Sequence, residues 1–303
     1  MSALRQLTQQ LTASPSFARR LLHGRGRAVE GWEQVNIEWY PPYLFVQNFE
    51  AELSAPQRDV IQKLFEDHET IMAVFLQQRA WPDVSTQVLH QRQATTLPWE
   101  GWVALSPEVD VAISLGKNRN TGAFLDMRAG WHWLREHAEG KKVLNLFCYT
   151  GVFSLFALKG GAQRVDNMDM AANVLKIAQR NHQHNQVHDG SAAFYKRDIL
   201  KSARWFESRH DYDLIILDPP PYQKKAFHGW QDYQKLLRLV RGSLTQGGQL
   251  FCCLNNPQTS ITEFEQALRD TFDDLTHLEI VPTAEEITEQ DAEKGLKTIV
   301  VTF

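Results

Sequence analysis

"VLNLFCYTGVFSLFALKGGA", residues 143 to 162, is an apolar run that reads as a buried strand passing through a turn into a helix. The turn, Phe147-Cys148-Tyr149-Thr150-Gly151, carries a single glycine. A dinucleotide site asks for a pattern such as G-x-G-x-x-G, because only glycine lets the backbone close on a pyrophosphate at the helix N-terminus. The turn is therefore built for a ligand less anionic than a pyrophosphate, and a nicotinamide dehydrogenase is disfavoured.

Downstream of this unit the pattern repeats. Strands are expected at 143–147, 164–169, 193–197, 213–217 and 248–254, with helices from about 151, over 171–184 and over 230–244. Strands alternating with helices imply parallel βαβ units, so the predicted fold class is α/β, a doubly wound, Rossmann-like sheet. The rhythm breaks at the end, where "HLEIVP" and "LKTIVVTF" are two strands separated by an acidic loop, and an antiparallel last strand in a late hairpin is expected.

Upstream, residues 1–115 read as a smaller α+β domain and 116–303 as the α/β domain. "VNIEWYPPYLFVQNF" predicts a pair of strands broken at Pro41-Pro42, and a helix should begin near Pro56 with Ser54 as its cap. "TIMAVFLQQ" and "VDVAISLG" are further strands. Trp81, Trp99 and Trp102 suit core or interdomain positions better than base stacking. Met1 to Val29 holds Arg5, Arg19, Arg20, Arg25 and Arg27 and no acidic residue. "HGRGR" at 23–27 then reads as a flexible cationic loop, either a solvated basic arm or one that contacts phosphate.

At 303 residues, 43% of them hydrophobic, the chain can build two cores, which excludes a wholly disordered protein. A net charge of -4 means that any nucleic-acid contact must come from a local basic patch. Cys148, Cys252 and Cys253 make no disulfide framework, which points to a reducing, cytoplasmic setting. The N-terminus has no signal-peptide core and no run approaches the ~18 apolar residues of a membrane span, so a soluble protein with no membrane partner is expected.

In open parallel sheets, ligands bind beyond the carboxyl ends of the strands. Four such ends carry chemistry. The Phe147–Gly151 turn suits an amino-acid carboxylate. Asp169, about 20 residues on, can accept both hydroxyls of a ribose or cap the helix that follows. Asp198 in "YKRDIL" can accept an exocyclic amine or lie solvated in a loop. "LIILDPPPY", residues 214 to 222, stops an apolar strand with Asp218 and three prolines. Prolines fix φ and lack an N–H, leaving carbonyls free for an amine, with Tyr222 as a stacking plane.

In this order the four ends resemble the class I S-adenosylmethionine-dependent methyltransferases. "NTGAFLDMR" at 120–128, "VLNLFCYTG", "AQRNHQHN", "LDPPPY" and "LKTIVVTF" are similar in order and spacing to the bacterial 23S ribosomal RNA large-subunit methyltransferases that modify cytosine C5 or guanine. The resemblance implies S-adenosyl-L-methionine as cofactor, no metal, and RNA as partner. It places Asn145, Phe147, Cys148, Tyr149, Thr150 and Gly151 at the methionine end, Asp169 and Met170 at the ribose, and Asp198 and Ile199 at the adenine. It makes 120–128 a flap with Phe124, Asp126 and Arg128 facing the cofactor. Asp218, Pro219, Pro220 and Tyr222 would hold the target.

Cytosine C5 is a poor nucleophile, and enzymes that methylate it use a thiolate. Counted from Gly247-Gly248, Cys253 falls where the C5-type members keep their cysteine, although a cysteine in a core strand is more often a small apolar filler. Asn255-Asn256 is similar to the guanine-type members. RNA contacts would come from Arg19, Arg20, Arg25 and Arg27 with Lys224 and Lys225. A methyltransferase of DNA adenine, protein or a small molecule, and a non-catalytic nucleoside-binding module, are the alternatives.

Overall fold

In the computed structural model, which describes residues 3–13, 16–50, 52–79, 84–187, 190–220 and 229–303, the chain divides into two units. The first is Met1–Asp126 with Ala284–Ala292, and the second is Met127–Thr283 with Glu293–Phe303. No helix among the described residues is long and apolar enough to cross a membrane.

The first unit contains α1 (Ala3–Ala13), β1 (Arg19–His23), β2 (Val35–Tyr40), β3 (Tyr43–Asn48), α2 (Ala55–Asp67), β4 (Ala73–Gln78), β5 (Ser85–Gln91) and a separate two-stranded pair, β6 (Trp99–Ser106) and β7 (Val109–Leu115). Strands β1 to β5 form one sheet in sequence order, antiparallel except between β3 and β4. The Pro41-Pro42 pair turns the chain tightly enough for Tyr40 to pair with Tyr43. At the start of α2 the Ser54 hydroxyl accepts from the Gln57 N–H and the Gln57 side chain accepts from the Ser54 N–H, a reciprocal cap that satisfies two donors. Leu7 and Leu11 of α1 and Ile61 and Leu64 of α2 close a core with Ile37, Leu44, Val46, Val74 and Leu76.

Residues 23–27, expected as a flexible cationic loop, are the end of a strand and a 3₁₀ turn, Gly24–Gly26. Arg19–His23 is strand β1, with Leu21 and Leu22 fully buried. Arg20 donates to Glu38 Oε1 at 2.7 Å and to Asp126 Oδ2 at 3.3 Å, and Arg19 lies 3.8 Å from Glu286. His23 Nε2 lies 3.0 Å from Glu289, and Arg27 forms a β-bridge with Glu289. A Cβ on Gly24 would stand 1.9 Å from the Trp32 carbonyl oxygen, and one on Gly26 2.0 Å from that of Thr288. These glycines permit close backbone packing. Glu286 of the acidic 284–292 segment, Glu38 of β2 and Asp126 thus pair with Arg19 and Arg20.

The second unit contains α3 (Arg128–His137), β8 (Lys142–Leu146), α4 (Val152–Lys159), β9 (Arg164–Asp169), α5 (Ala172–His184), β10 (Ala192–Lys196), α6 (Ala203–Glu207), β11 (Tyr212–Leu217), α7 (Gly229–Arg241), β12 (Leu244–Leu254), α8 (Ile261–Thr271), β13 (His277–Ile280) and β14 (Lys297–Thr302). The seven strands lie in the order β10-β9-β8-β11-β12-β14-β13. The first five run parallel; β14 is antiparallel to both β12 and β13, so the late hairpin and the reversed last strand are present. Helix α7 stops at Arg241, short of the expected 244, because Leu244 already pairs with Tyr212 in the sheet.

Candidate active site

The register of the sheet decides which residues share its carboxyl edge. Tyr195 pairs with Met168, Met168 with Leu146, Leu146 with Leu217, Leu217 with Cys252, and Cys252 with Ile299. One residue further along each parallel strand come Lys196, Asp169, Phe147, Asp218 and Cys253, and opposite Cys253 on the antiparallel β14 stands Thr298. Asp198 follows two residues after Lys196. Chain order reverses between β8 and β11, and the crevice at such a reversal is where open α/β sheets bind ligands. Phe147, Asp169 and Asp218 are thus brought to the switch point by pairing alone.

The turn after β8 is strained. Phe147, Tyr149 and Gly151 all have positive φ, at 56°, 49° and 80°. A non-glycine residue held there costs roughly 1–2 kcal/mol, so the single glycine leaves Phe147 and Tyr149 to be restrained by their surroundings. The Cys148 N–H donates to the Met168 carbonyl at 3.1 Å, and the Tyr149 N–H to Asp169 Oδ2 at 3.1 Å. Gly151 cannot be replaced cheaply, since a Cβ would stand 2.9 Å from His182 Cε1.

Beneath the turn runs a buried polar chain that the sequence reading missed. His182 Nδ1 faces the Ala178 carbonyl at 2.7 Å, an acceptor only, so this nitrogen carries the proton and Nε2 accepts from the Ser154 hydroxyl at 2.8 Å. The Ser154 oxygen accepts from Asn167 Nδ2 at 3.1 Å, and Asn167 Oδ1 accepts from Asn145 Nδ2 at 3.1 Å. Asn145 Oδ1 ends the chain, buried and without a hydrogen-bond partner among the described residues. Asn181 meanwhile donates to the Thr150 carbonyl at 2.9 Å. The signal was present in "AQRNHQHN", whose Asn181 and His182 face the strand–turn–helix from α5.

Asp169 is half-buried and accepts from Tyr149 and, at 2.9 Å, from the Ala171 N–H. Burial pushes its carboxyl up, against the opposing pull of the N–H groups of Ala171, Tyr149 and Met170. A carboxylate has about four acceptor positions, so capacity for ligand hydroxyls remains. Met170 beside it is exposed. Asp198 pairs with Lys201 at 2.9 Å, whose side chain is 79% exposed and can swing away at little cost; Ile199 is buried. Carboxylates at 169, 198 and 218 along one edge repel phosphate and accept hydroxyl and amino donors.

Asp218 is half-buried, Pro219 buried and Pro220 half-buried. Pro221, Tyr222, Lys224 and Lys225, like Trp81, lie outside the described residues. Cys252 and Cys253 are buried free thiols. Burial pushes Cys252 up to about 12, with the Tyr233 hydroxyl beside it, and raises Cys253 still more clearly, helped by the charge of Asp218 and by Cys252. Phe124 and Asp126 belong to the first unit, where Phe124 is 43% exposed and Asp126 accepts from Arg20. Arg128 opens α3 in the second.

Residues 19–302 match a family model described as S-adenosylmethionine-dependent methyltransferase. The chain is 36% identical over 135 residues to ribosomal RNA large subunit methyltransferase I of Aeromonas hydrophila, covering 42% of this chain and 34% of that protein. It is 33% identical over 203 residues to ribosomal RNA large subunit methyltransferase K/L of Hahella chejuensis, covering 62% of this chain and 26% of that one. The chain thus spans about a third or less of the length of these relatives. SMU.776, solved in complex with SAH, superposes with a TM-score of 0.83 at 22% identity over 99% of this chain and 80% of its own, a likeness of fold.

Proposed function

The chain belongs to the S-adenosylmethionine-dependent methyltransferase family, and from that membership we propose that it methylates a base in RNA, with ribosomal RNA as the substrate. The bound cofactor supplies a methyl group on a sulfonium, an electrophile that needs only an aligned nucleophile. The single observation that carries the reading is the shared carboxyl edge of β9, β8 and β11, with Asp169, the 147–151 turn and Asp218 adjacent in register.

The residues fit the cofactor by their donor set. The turn lacks the glycines a pyrophosphate needs, and the carboxylates accept what an adenosine offers. Asp169 and Met170 would hold the ribose, Asp198 and Ile199 the adenine, and Phe147, Cys148, Tyr149, Thr150 and Gly151 the methionine end. Asn145 supports that turn from below, and its buried Oδ1 is an acceptor still to be satisfied. Arg128 stands at the start of the helix leading into β8.

Asp218, Pro219, Pro220 and Tyr222 hold the target. Asp218 would accept a hydrogen bond from a base amine or ring N–H, which orients that nitrogen, stabilises the positive charge that develops there on methylation and offers an acceptor for the proton then lost. Burial holds the Cys253 thiol well above the usual cysteine range, which disfavours thiolate attack on a cytosine ring and favours an amino group or ring nitrogen as the nucleophile. The names of the relatives at 33–36% identity favour ribosomal RNA over DNA, protein or a small molecule. Incubation with methyl-tritiated cofactor and separated RNA, DNA and protein fractions tests this: label confined to RNA supports it, and label in another fraction sinks it.

A further inference from the structure

The first unit carries a cluster of cations that no step of the proposed reaction uses. Two guanidinium groups lie over the ring of Phe49, with Arg25 Cζ 4.5 Å and Arg79 Cζ 5.1 Å from its centroid. Arg25 comes from the turn after β1, Phe49 follows β3, and Arg79 follows β4, where its N–H donates to the Asn48 carbonyl at 2.7 Å. Arg79 Nη2 also reaches Asn120 Oδ1 at 3.4 Å, which ties in the segment that carries Arg119. Arg25 and Arg79, from two separate stretches of chain, thus share one aromatic ring.

The acids whose charge acts on Arg25 and Arg79 are already engaged. Glu38 and Asp126 bind Arg20, and Glu289 binds His23. Arg20, with its two carboxylates, is held more firmly protonated than a free arginine despite complete burial. Arg79 goes the other way, pushed down to about 10 by burial first and then by Arg119, with Glu38 opposing and Arg25 and Arg20 adding to the fall. Arg25 is lowered by burial and by Arg20, against Asp126 and Glu289. Arg79 Nε is buried without a hydrogen-bond partner among the described residues. Like charges gathered in a half-dry place with an unmet N–H are an uphill arrangement that an anion would relieve. Stacking on Phe49 occupies guanidinium faces and leaves the N–H edges, the groups that grip a phosphate bidentately.

We propose that Arg25 and Arg79, gathered around Phe49, form a binding site for a phosphodiester group of the RNA substrate. This rests on the reading of RNA as substrate. Free inorganic phosphate is the other source of the same chemistry, and the experiment separates the two.

The protein is titrated into a fluorescein-labelled fragment of large-subunit ribosomal RNA over a range of KCl, alongside Arg25→Gln, Arg79→Gln and the double variant. Affinity should fall in each, with the log–log salt slope flattening by roughly 0.7–0.9 per lost contact. Calorimetric affinity for SAH should not change, and the melting temperature should hold or rise as like charges are removed. Parent and variants binding RNA with equal affinity and slope would overturn the site while leaving RNA as substrate. A melting temperature raised by millimolar inorganic phosphate only in the parent, with equal RNA binding, would also overturn it and assign the cluster to free phosphate. A parent that binds SAH but no RNA would overturn the substrate reading and this site with it.

Discussion

The backbone N–H of Tyr149 donates to Asp169 Oδ2 at 3.1 Å, so the strained turn after β8 and the end of β9 are held as one piece. Asp169 therefore carries two tasks, restraint of the turn and acceptance of ligand hydroxyls. Asp169→Asn keeps one oxygen to accept from the Tyr149 N–H, loses the acceptor for the Ala171 N–H, and loses the charge. Its affinity for SAH should drop by roughly 1.5–3 kcal/mol, the worth of hydrogen bonds to a charged group, or about 10- to 150-fold. Calorimetry showing undiminished affinity in the folded variant would remove Asp169 from the cofactor site.

The same carboxyl predicts a pH dependence. Its pKa is raised in the folded protein, chiefly by burial. Ribose hydroxyls donate to the ionised form, so SAH affinity should be full at neutral pH and fall on acidification, beginning above the ordinary aspartate range. For stability the sign is opposite: a raised carboxyl contributes stability below its unfolded value that is lost as pH rises through the folded one. A pH series of SAH titrations should show the acid-side loss in the parent and not in Asp169→Asn; parallel curves for the two would assign the loss elsewhere.

Cys253 pairs with Thr298 in the middle of the sheet and is 1% exposed. Its thiol, raised well above the usual cysteine range, should resist iodoacetamide at pH 8 in the native protein and react once unfolded. Cys253→Ala should keep methyl transfer within a few-fold of the parent. Loss of all turnover in a folded Cys253→Ala protein would restore the thiol as nucleophile and cytosine C5 as its target.

Arg20 is a structural cation. Its side chain is 7% exposed between Glu38 and Asp126, and removing one partner of a buried pair costs about 3–5 kcal/mol by leaving charge uncompensated. Arg20→Gln should lower the denaturation midpoint sharply. Unaltered stability together with weakened RNA binding would return Arg20 to a phosphate-contacting role.

The parts of this molecule legible from sequence were those fixed by local pattern. Apolar runs ending in Phe147, Asp169 and Asp218 could be placed at strand ends, and the Rossmann-like order followed from their alternation with helices. The proline pair at 41–42 and the Ser54 cap were equally local. What escaped notice depends on partners distant in sequence. Arg19 and His23 meet Glu286 and Glu289 more than 260 residues later, and nothing in "ARRLLHGRGR" announces such carboxylates. His182 is an ordinary helix residue until Ser154 and Asn167 are placed beside it. The glycines of 24–26 read as flexible because the backbone that crowds them lies elsewhere in the chain.

Central to the account is methyl transfer from S-adenosylmethionine to a nitrogen of an RNA base held at Asp218. The most direct test is mass spectrometry of nucleosides from large-subunit ribosomal RNA transcribed without modification and incubated with cofactor and either the parent or Asp218→Asn. The account predicts one new N-methylated nucleoside with the parent, and none with the variant although it still binds SAH. No methylated nucleoside with the parent, a 5-methylcytidine, or equal product from both proteins would contradict it.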